Sequence, residues 1–157
     1  MKNIKIDLPE NSYSLKTGYN IFDKLPAEIK KLNSHKNIFI IVDSNVEKLY
    51  KDVIKSAFEN SFNKVLIEKI KVSEELKTYE TVNKLYAKLI AKNFGRDTLI
   101  VAIGGGIIGD VAGFVAATYM RGIPFIQVPT TLLAGVDSSV GGKTGINFGS
   151  TKNVVGA

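Results

Sequence analysis

The residues with the clearest capacity for chemistry form a glycine-rich run, Gly104-Gly105-Gly106-Ile107-Ile108-Gly109-Asp110. Apolar residues at 99–103 precede this run and a mostly apolar stretch follows it, so it is predicted to join a buried strand to a helix. Because glycines lack Cβ atoms, a ligand can approach their backbone N–H groups closely. The first turn of the following helix adds unpaired donors and partial positive charge. The run therefore predicts a site for an anion such as a pyrophosphate.

The spacing of Gly104, Gly106 and Gly109 matches the G-x-G-x-x-G pattern of dinucleotide-binding folds. That pattern also requires an acid about 20 residues downstream, at the end of the next strand. Here the region reads Val128-Pro129-Thr130-Thr131, without an acid. A tight strand-to-helix turn that binds no ligand is therefore an open alternative. In that alternative, Asp110 is an acid in the first turn of the helix, where it favours the helix dipole.

Composition excludes several classes of protein. The 157 residues are 45% hydrophobic and 23% charged, which is typical of one globular domain. The absence of cysteine excludes disulfides and thiolate metal sites and fits a cytoplasmic protein. The N-terminus lacks the apolar core of a signal peptide, and three glycines with a charged Asp110 argue against a membrane span at 99–120. The net charge of +6 comes from lysines scattered among acids, which does not indicate nucleic-acid binding.

Hydrophobic periodicity predicts the elements that position the glycine run. Residues 4–8 and 13–17 alternate apolar and polar around Pro9-Glu10-Asn11, which predicts an antiparallel hairpin. Buried strands are predicted at 37–42, 65–70, 99–103 and 125–128, and helices at 21–32, 46–60, 78–93 and 110–119. Asn20 is expected to cap the first helix, and Asp43-Ser44-Asn45 the second. The order predicts an α/β fold in which a mostly parallel sheet is flanked by helices through right-handed crossovers.

The run GGGIIGDVAGFVAATYMRGIPFIQVPTTLLAGVDSSVGGKTGIN, followed by KNVVGA, resembles the 3-dehydroquinate synthase family. The similarity is close over 99–157 and extends upstream to Val42-Asp43-Ser44 and to 74–81. It implies a Rossmann-like NAD-binding domain of a lyase in the shikimate pathway of aromatic amino acid biosynthesis. The implied reaction converts 3-deoxy-D-arabino-heptulosonate 7-phosphate to 3-dehydroquinate and phosphate, with NAD recycled within one turnover. The implied assembly is a homodimer.

The resemblance also implies a set of site residues. The implied cofactor-binding residues are Asp43, Glu74, Lys77, Gly105, Gly106, Ile107, Gly109, Asp110, Thr130, Thr131, Asp137, Ser138, Lys143 and Lys152. The implied catalytic residues are Asp137, Lys143, Lys152, Asn153 and Arg121, of which Arg121 reaches the substrate phosphate across the dimer interface. By themselves, several of these residues have simpler interpretations. Asp43 could be only a helix cap, Glu74 and Lys77 only surface charges, and Arg121 only a solvated cation at a helix end.

The resemblance implies a catalytic zinc or cobalt held by a Glu and two His that follow the KN motif, and this chain does not contain that region. Its single imidazole, His35, is expected to be a surface residue. We therefore expect residues 1–157 to form the NAD-binding domain of a longer protein, inactive without the metal-binding helical domain. Apolar surface is expected near 141–157, where that domain docks. Ser73, Gly135 and Thr151 depart from the family pattern.

Three alternative functions stay open on the sequence. A related sugar phosphate cyclase of the 2-deoxy-scyllo-inosose synthase type would share nearly all of these motifs. A dehydrogenase of the iron-dependent alcohol or glycerol group would share the fold and a glycine loop ending in Asp, and would be expected to lack VDSSVGGKTG. A nucleotide-binding module without chemistry is the third.

Overall fold

The computed structural model describes residues 1–9, 12–32 and 36–157. Within these described residues, eight strands and four α-helices follow one another in sequence. The strands are β1 (Lys2–Ile6), β2 (Tyr13–Thr17), β3 (Asn37–Asp43), β4 (Lys64–Ile70), β5 (Thr98–Gly104), β6 (Phe125–Pro129), β7 (Gly145–Phe148) and β8 (Thr151–Gly156). The helices are α1 (Leu25–Leu32), α2 (Ser44–Phe58), α3 (Tyr79–Ala91) and α4 (Gly106–Thr118).

The central layer is a four-stranded parallel sheet with strand order β4-β3-β5-β6. Successive connections leave β3 and β5 in opposite directions, so the boundary between these two strands is the topological switch point of the sheet. Val42 lies beside Ile103, and Gly104 lies beside Pro129. The carboxyl ends of β3, β5 and β6 therefore meet at one edge, where ligands bind in open α/β sheets.

Two apolar layers cover the sheet because its central strands are buried on both faces. On one face, Ile38, Ile40 and Val42 of β3 pack with buried residues of α1 and α2. On the other face, Phe39 and Ile41 pack with buried residues of α3 and α4. Alternate residues of the apolar strand β3 thus face opposite layers of helices, which confirms the predicted parallel sheet with helices on both sides.

The N-terminal hairpin is confirmed, with β1 antiparallel to β2. Two of its predicted turn residues, Glu10 and Asn11, lie outside the described residues, as does His35. A second antiparallel hairpin, β7–β8, was not predicted. Its turn contains Gly149, whose φ of +58° is a conformation that glycine adopts without steric cost.

Two predicted helix starts are wrong. The α-helix α1 begins at Leu25, after a 3₁₀ turn at Phe22–Lys24, and Asn20 does not cap it. Pro26 lacks an N–H, so Phe22 O receives its bond from the Leu25 N–H, which is the tighter 3₁₀ pattern. The helix α4 begins at Gly106, four residues before the predicted start. Five of the seven residues of the glycine run are thus part of the helix.

Helices α2 and α3 are confirmed with shifted ends. Asp43 caps α2, as predicted, and Thr78 accepts a hydrogen bond from the Thr81 N–H at the start of α3. Within the part of the chain that the structure describes, every helix is too short or too polar to span a bilayer.

Candidate functional site

Two glycines of the run allow close packing. A Cβ added to Gly104 would lie 2.6 Å from Cγ1 of Ile108, and one added to Gly109 would lie 2.5 Å from Oε1 of Gln127 on β6. Real Cβ atoms do not approach other atoms this closely, so both positions must stay small for α4 to lie against the sheet. The tight-turn interpretation is therefore sufficient for Gly104 and Gly109.

Gly105 and Gly106 have different surroundings. Gly105 occupies the N-cap position of α4 in an extended conformation, with φ −77° and ψ −172°, and no side chain of the described residues caps the helix. A Cβ on Gly105 would lie 3.5 Å from Cγ2 of Thr131, which is an ordinary contact. Packing within the chain therefore does not require glycine at position 105. What glycine provides here is an open approach to the uncapped N–H groups of the first turn.

The Ser138 hydroxyl lies beside this first turn. Ser138 belongs to a single π-helical turn, Ala134–Ser138, that contacts α4. Its Oγ lies 3.0 Å from the position that a Cβ on Gly106 would take. This oxygen is buried, and it has no hydrogen-bond partner among the residues that the structure describes. A buried hydroxyl without a partner costs free energy, which a ligand oxygen would recover. The start of α4 therefore fits the pyrophosphate of NAD.

Asp43 lies at the carboxyl end of β3, across the switch point from Gly104. Its Oδ1 accepts a hydrogen bond from the Asn45 N–H at 2.7 Å, which confirms the helix-cap interpretation. Its Oδ2 makes no hydrogen bond within residues 1–9, 12–32 and 36–157, so a carboxylate oxygen is available to a ligand as well. An acid absent downstream of the glycine run is thus present at the end of β3, the neighbouring parallel strand of β5.

Lys77, Asp110 and Asn153 form a polar cluster around the buried Lys77 ammonium. Lys77 is 3% exposed, and its Nζ lies 2.6 Å from Oδ2 of Asp110. The same Nζ donates a hydrogen bond to Oδ1 of Asn153. The surface-charge interpretation is therefore wrong for Lys77, whereas Glu74 is exposed as that interpretation predicts. Burying an ammonium is costly unless it is paired and hydrogen-bonded, and both conditions are met here.

The position of Asp110 differs from the first-turn prediction. Because α4 begins at Gly106, Asp110 is the fifth residue of the helix and lies in its second turn. It pairs with Lys77 instead of lying beside the free N–H groups, and the first turn carries no acid. The first turn therefore keeps its partial positive charge for a ligand.

Sequence reasoning missed two residues that organise these segments. Asn147 hydrogen-bonds through its backbone to Lys77 and through its side chain to Glu74 and Asn153. The Tyr13 hydroxyl accepts a hydrogen bond of 2.7 Å from the Gly141 N–H, which ties the N-terminal hairpin to the loop before Lys143. An asparagine in a GIN segment and a tyrosine in a polar strand carry no local signal of these contacts, because the partners are distant in sequence.

The remaining implied charged residues are exposed and separate. The side chains of Asp137, Lys143, Lys152 and Arg121 are exposed, and within the described ranges none of them makes an ion pair or a hydrogen bond. Thr130 is also exposed, and its N–H donates to Gly104 O at 3.0 Å. Thr131 Oγ1 accepts a hydrogen bond from the Ala134 N–H at 3.2 Å. These cations and hydroxyls are available to an anionic ligand.

Arg121 follows α4 in a strained turn. Met120 and Arg121 have φ values of +51° and +68°, which residues with a Cβ rarely adopt. Buried neighbours hold the turn on both sides. The Tyr119 hydroxyl donates to Phe94 O at 2.7 Å, and the Ile123 N–H donates to Ala116 O at 2.8 Å. Burial also raises the pKa of the Tyr119 phenol. Strain maintained in this way concentrates at functional positions.

Apolar side chains near these residues are exposed. In the range 141–157, Phe148 is 64% exposed and Val154 is 56% exposed, which confirms the expected exposure there. Leu132 and Leu133, just before the turn that carries Ser138, and Val136 within it are also exposed. The docking of a further domain on this surface stays a prediction.

The His, Asp and Glu side chains of the described residues do not form a site for the divalent metal that the resemblance implies. No group of three or more His, Asp or Glu residues within the described ranges could hold a metal ion.

Known proteins similar to this chain share both its sequence and its fold. The family model described as 3-dehydroquinate synthase N-terminal matches residues 67–157. A 3-dehydroquinate synthase of Thermoanaerobacter sp. (strain X514) is 48% identical over the whole chain, which covers 44% of that relative. The chain thus spans less than half the length of the curated relatives it matches.

Solved structures agree. A 2-deoxy-scyllo-inosose synthase complexed with carbaglucose-6-phosphate, NAD+ and Co2+ superposes with a TM-score of 0.90 at 33% identity, over 99% of this chain and 43% of that one. ValA, a 2-epi-5-epi-valiolone synthase from Streptomyces hygroscopicus subsp. jinggangensis 5008 with NAD+ and Zn2+ bound, gives a TM-score of 0.74 at 29% identity, over 85% of this chain and 38% of that one. Because the family model covers more than half of the chain, this chain belongs to the 3-dehydroquinate synthase family.

Proposed function

We propose that this chain is the NAD-binding domain of a cytoplasmic 3-dehydroquinate synthase. The whole enzyme would convert 3-deoxy-D-arabino-heptulosonate 7-phosphate to 3-dehydroquinate and phosphate. One observation carries the proposal: the uncapped glycine start of α4, at the switch point of the sheet, lies beside the buried Ser138 hydroxyl, which has no hydrogen-bond partner among the described residues. The similar solved structures that contain NAD+ favour NAD among the dinucleotides that such a site could hold.

The cofactor would lie across the carboxyl edge of the sheet. N–H groups at Gly105, Gly106 and Ile107 and the Ser138 hydroxyl would bind the pyrophosphate, since they lie on the uncapped side of α4. The free carboxylate oxygen of Asp43 would accept a hydrogen bond from the adenosine ribose. Bound NAD supplies reversible hydride transfer at the substrate. The exposed hydroxyl of Thr130 lies at the same edge, after β6.

The substrate would be held by charge and amide donation on the C-terminal side of the chain. Lys143 and Lys152 are exposed cations, and the substrate phosphate is a dianion, so both would attract it. Asn153 is oriented by its bond from Lys77 and would direct its amide N–H groups to the phosphate. Asp137 would accept hydrogen bonds from substrate hydroxyls. The net reaction releases phosphate and leaves NAD unchanged.

Two partners complete the proposal. Arg121 is exposed on a strained turn that the Tyr119 hydrogen bond holds in place. It would contact a second copy of the protein and reach that copy's substrate phosphate. The exposed Leu132, Leu133, Phe148 and Val154 would pack against the domain that supplies the metal ligands.

Calorimetric titration of NAD into the 157-residue chain tests the cofactor site directly. We expect weak, saturable binding at millimolar NAD, and we expect that inorganic pyrophosphate competes with it. Absence of heat at millimolar NAD would contradict the proposed site.

A product assay on the natural full-length protein tests the reaction. We expect one phosphate per 3-dehydroquinate, without net NADH. A carbocyclic inosose from glucose 6-phosphate would instead identify a cyclase of the 2-deoxy-scyllo-inosose type, the second candidate that the structural similarity favours. Lasting accumulation of NADH would identify an alcohol or glycerol dehydrogenase. NAD binding with no turnover of any of these substrates would favour a nucleotide-binding module.

A further inference from the structure

We infer that Asn147 is a positioning residue that sets the geometry of Lys77 and Asn153 in the proposed site. The inference rests on the proposed function, because it concerns how this chain orients its substrate and cofactor residues. Asn147 lies on β7, contributes no charge and is not one of the residues that the family resemblance implies.

Asn147 makes three hydrogen bonds to two separate segments. Its backbone N–H donates to Lys77 O at 2.7 Å. Its side-chain Nδ2 donates to Glu74 O at 3.3 Å, in the short turn that precedes Lys77. Its side-chain Oδ1 accepts from the Asn153 N–H at 2.9 Å. One half-buried amide therefore joins the loop after β4 to the strand β8.

These bonds close a ring of three residues. Asn147 binds the Lys77 carbonyl, the Lys77 ammonium donates to Asn153 Oδ1, and the Asn153 N–H returns to Asn147 Oδ1. Such mutually supporting polar contacts fix the orientation of each member when all of them are satisfied. Asp110 joins the ring through its ion pair with Lys77. The ring thus connects the α4 side of the proposed site to the β8 side.

The backbone conformation of Asn153 is stabilised by its hydrogen bond to Asn147 Oδ1. Its φ of +52° lies in the left-handed region, which asparagine adopts more readily than most residues but still at a cost. The bond from its N–H to Asn147 Oδ1 stabilises that conformation and aims the Asn153 side chain at Lys77. Without the Asn147 amide, Asn153 can relax to ordinary strand geometry, and its side chain then leaves the proposed phosphate position.

The hairpin itself does not depend on Asn147. Ile146 is fully buried in the core cluster that contains α4, and Gly145 pairs with Gly156. The Thr144 N–H donates to Ala157 O at 2.8 Å, which extends the pairing. A variant at position 147 is therefore expected to fold, so a loss of function can be read as a loss of positioning.

The test uses the natural full-length protein with Asn147→Ala and Asn147→Asp. The alanine variant removes both side-chain bonds, whereas the aspartate variant keeps an acceptor for the Asn153 N–H and loses only the donor to Glu74 O. Ser150→Ala, at the exposed turn of the same hairpin, is the matched control. We expect Asn147→Ala to raise KM for the sugar phosphate about tenfold with a small change in kcat. The two lost hydrogen bonds no longer hold Asn153 in place, so substrate binding must supply the free energy of ordering it. Asn147→Asp is expected to be intermediate and Ser150→Ala to match the wild type.

A double-mutant cycle with Asn153→Ala separates positioning from folding. If Asn147 acts through Asn153, the effects on KM are not additive, and Asn147→Ala changes little in the Asn153→Ala background. Additive effects, or a fall in kcat at constant KM that reflects a smaller folded fraction, would overturn the inference.

Hydrogen exchange of the Asn153 amide gives a readout that needs no activity. It is expected to be slow in the wild type and faster in Asn147→Ala. An inactive wild-type protein with this protection pattern would contradict the proposed function but not the ring, whereas an active enzyme with unchanged exchange and KM in Asn147→Ala would contradict the inference alone.

Discussion

The chain passes from a strand into a helix on both sides of the switch point, and the two junctions are built in opposite ways. At the junction of β3 and α2, Asp43 caps the helix and Glu47 adds a second acid in the first turn. At the junction of β5 and α4, Gly105 occupies the cap position and the first turn carries neither a side-chain cap nor an acid. The first helix start is satisfied by its own chain. The second has N–H donors and partial positive charge that no side chain of the described residues caps, so they are available to the proposed ligand.

The largest expected effect is on NAD affinity, when the first turn of α4 receives an acid like the one in the first turn of α2. Gly106→Asp places a carboxylate in the first turn of α4 and a Cβ 3.0 Å from Ser138 Oγ. Helix stability is expected to be unchanged or slightly higher, because an acid there favours the dipole. NAD affinity is expected to fall at least about 100-fold, since a fixed negative charge repels the pyrophosphate in a partly buried site. Calorimetric titration of NAD into the Gly106→Asp variant and the wild type measures this change in affinity.

The same substitution at the other junction is the control. Ser44 is the first residue of α2, the position that Gly106 holds in α4. Ser44→Asp is expected to change NAD affinity by no more than a few-fold. Equal losses in both variants would show that the two junctions do not differ in the way described.

A second prediction concerns how closely α4 packs. A Cβ on Gly113 would lie 2.2 Å from Cγ2 of Thr144, a buried residue next to β7. Gly113→Ala is expected to destabilise the chain by about 1–2 kcal/mol, because overpacking outweighs the gain in helix propensity of about 1 kcal/mol. Urea unfolding gives this difference. The double variant with Thr144→Ser, which lacks that methyl group, is expected to recover most of it, and a failure to recover would contradict the contact.

Asp43 separates capping from ligand binding. Asp43→Ala is expected to lower the unfolding free energy by about 1 kcal/mol through loss of the bond from the Asn45 N–H, and to weaken NAD binding as well. Asp43→Asn keeps a capping oxygen and is expected to change stability by only a few tenths of a kcal/mol while still weakening NAD binding, since the ribose then meets a neutral acceptor. Unfolding curves and NAD titrations of the two variants would contradict this separation if they changed in parallel.

The smallest effect is expected at an acid whose role is only structural. Hydrogen bonds from Lys16 and then Lys31 lower the pKa of Glu28 from 4.5 to about 2. Because the folded-state pKa is depressed, this carboxylate stabilises the fold above about pH 4.5, and that contribution is lost as the pH falls towards 2.

The variant Glu28→Gln tests this pH dependence. Unlike the Asp43 variants, it concerns stability alone. The difference in unfolding free energy between the wild type and Glu28→Gln is expected to be small at pH 6 and to vanish near pH 2, as measured by urea unfolding at each pH. NAD affinity at neutral pH is expected to be unchanged. A difference that grew as the pH fell would have the wrong sign and would exclude this role.

Much of the fold could be predicted because the sheet is encoded locally. Apolar runs such as 37–42 and 99–103 are too short for a helix and too apolar for a half-exposed strand, so their alternation with helical periodicity predicts a parallel sheet. The β7–β8 hairpin escaped prediction, since Gly145 and Gly156 contribute no hydrophobic pattern and their pairing depends on close approach. The start of α4 was placed late because glycine has poor helix propensity, which here is overridden by packing on the sheet.

The sequence by itself determined that a run with four glycines joins a buried strand to a helix, that Asp43 ends a strand, and that the C-terminal segment carries lysines and an asparagine that match a known family. Only the tertiary structure decided which of these residues act together. It divided the glycines into two that permit packing and two that expose backbone donors, and it buried Lys77 between Asp110 and Asn153. The physical reason is that burial and pairing depend on neighbours distant in the chain, and a local pattern carries no information about them.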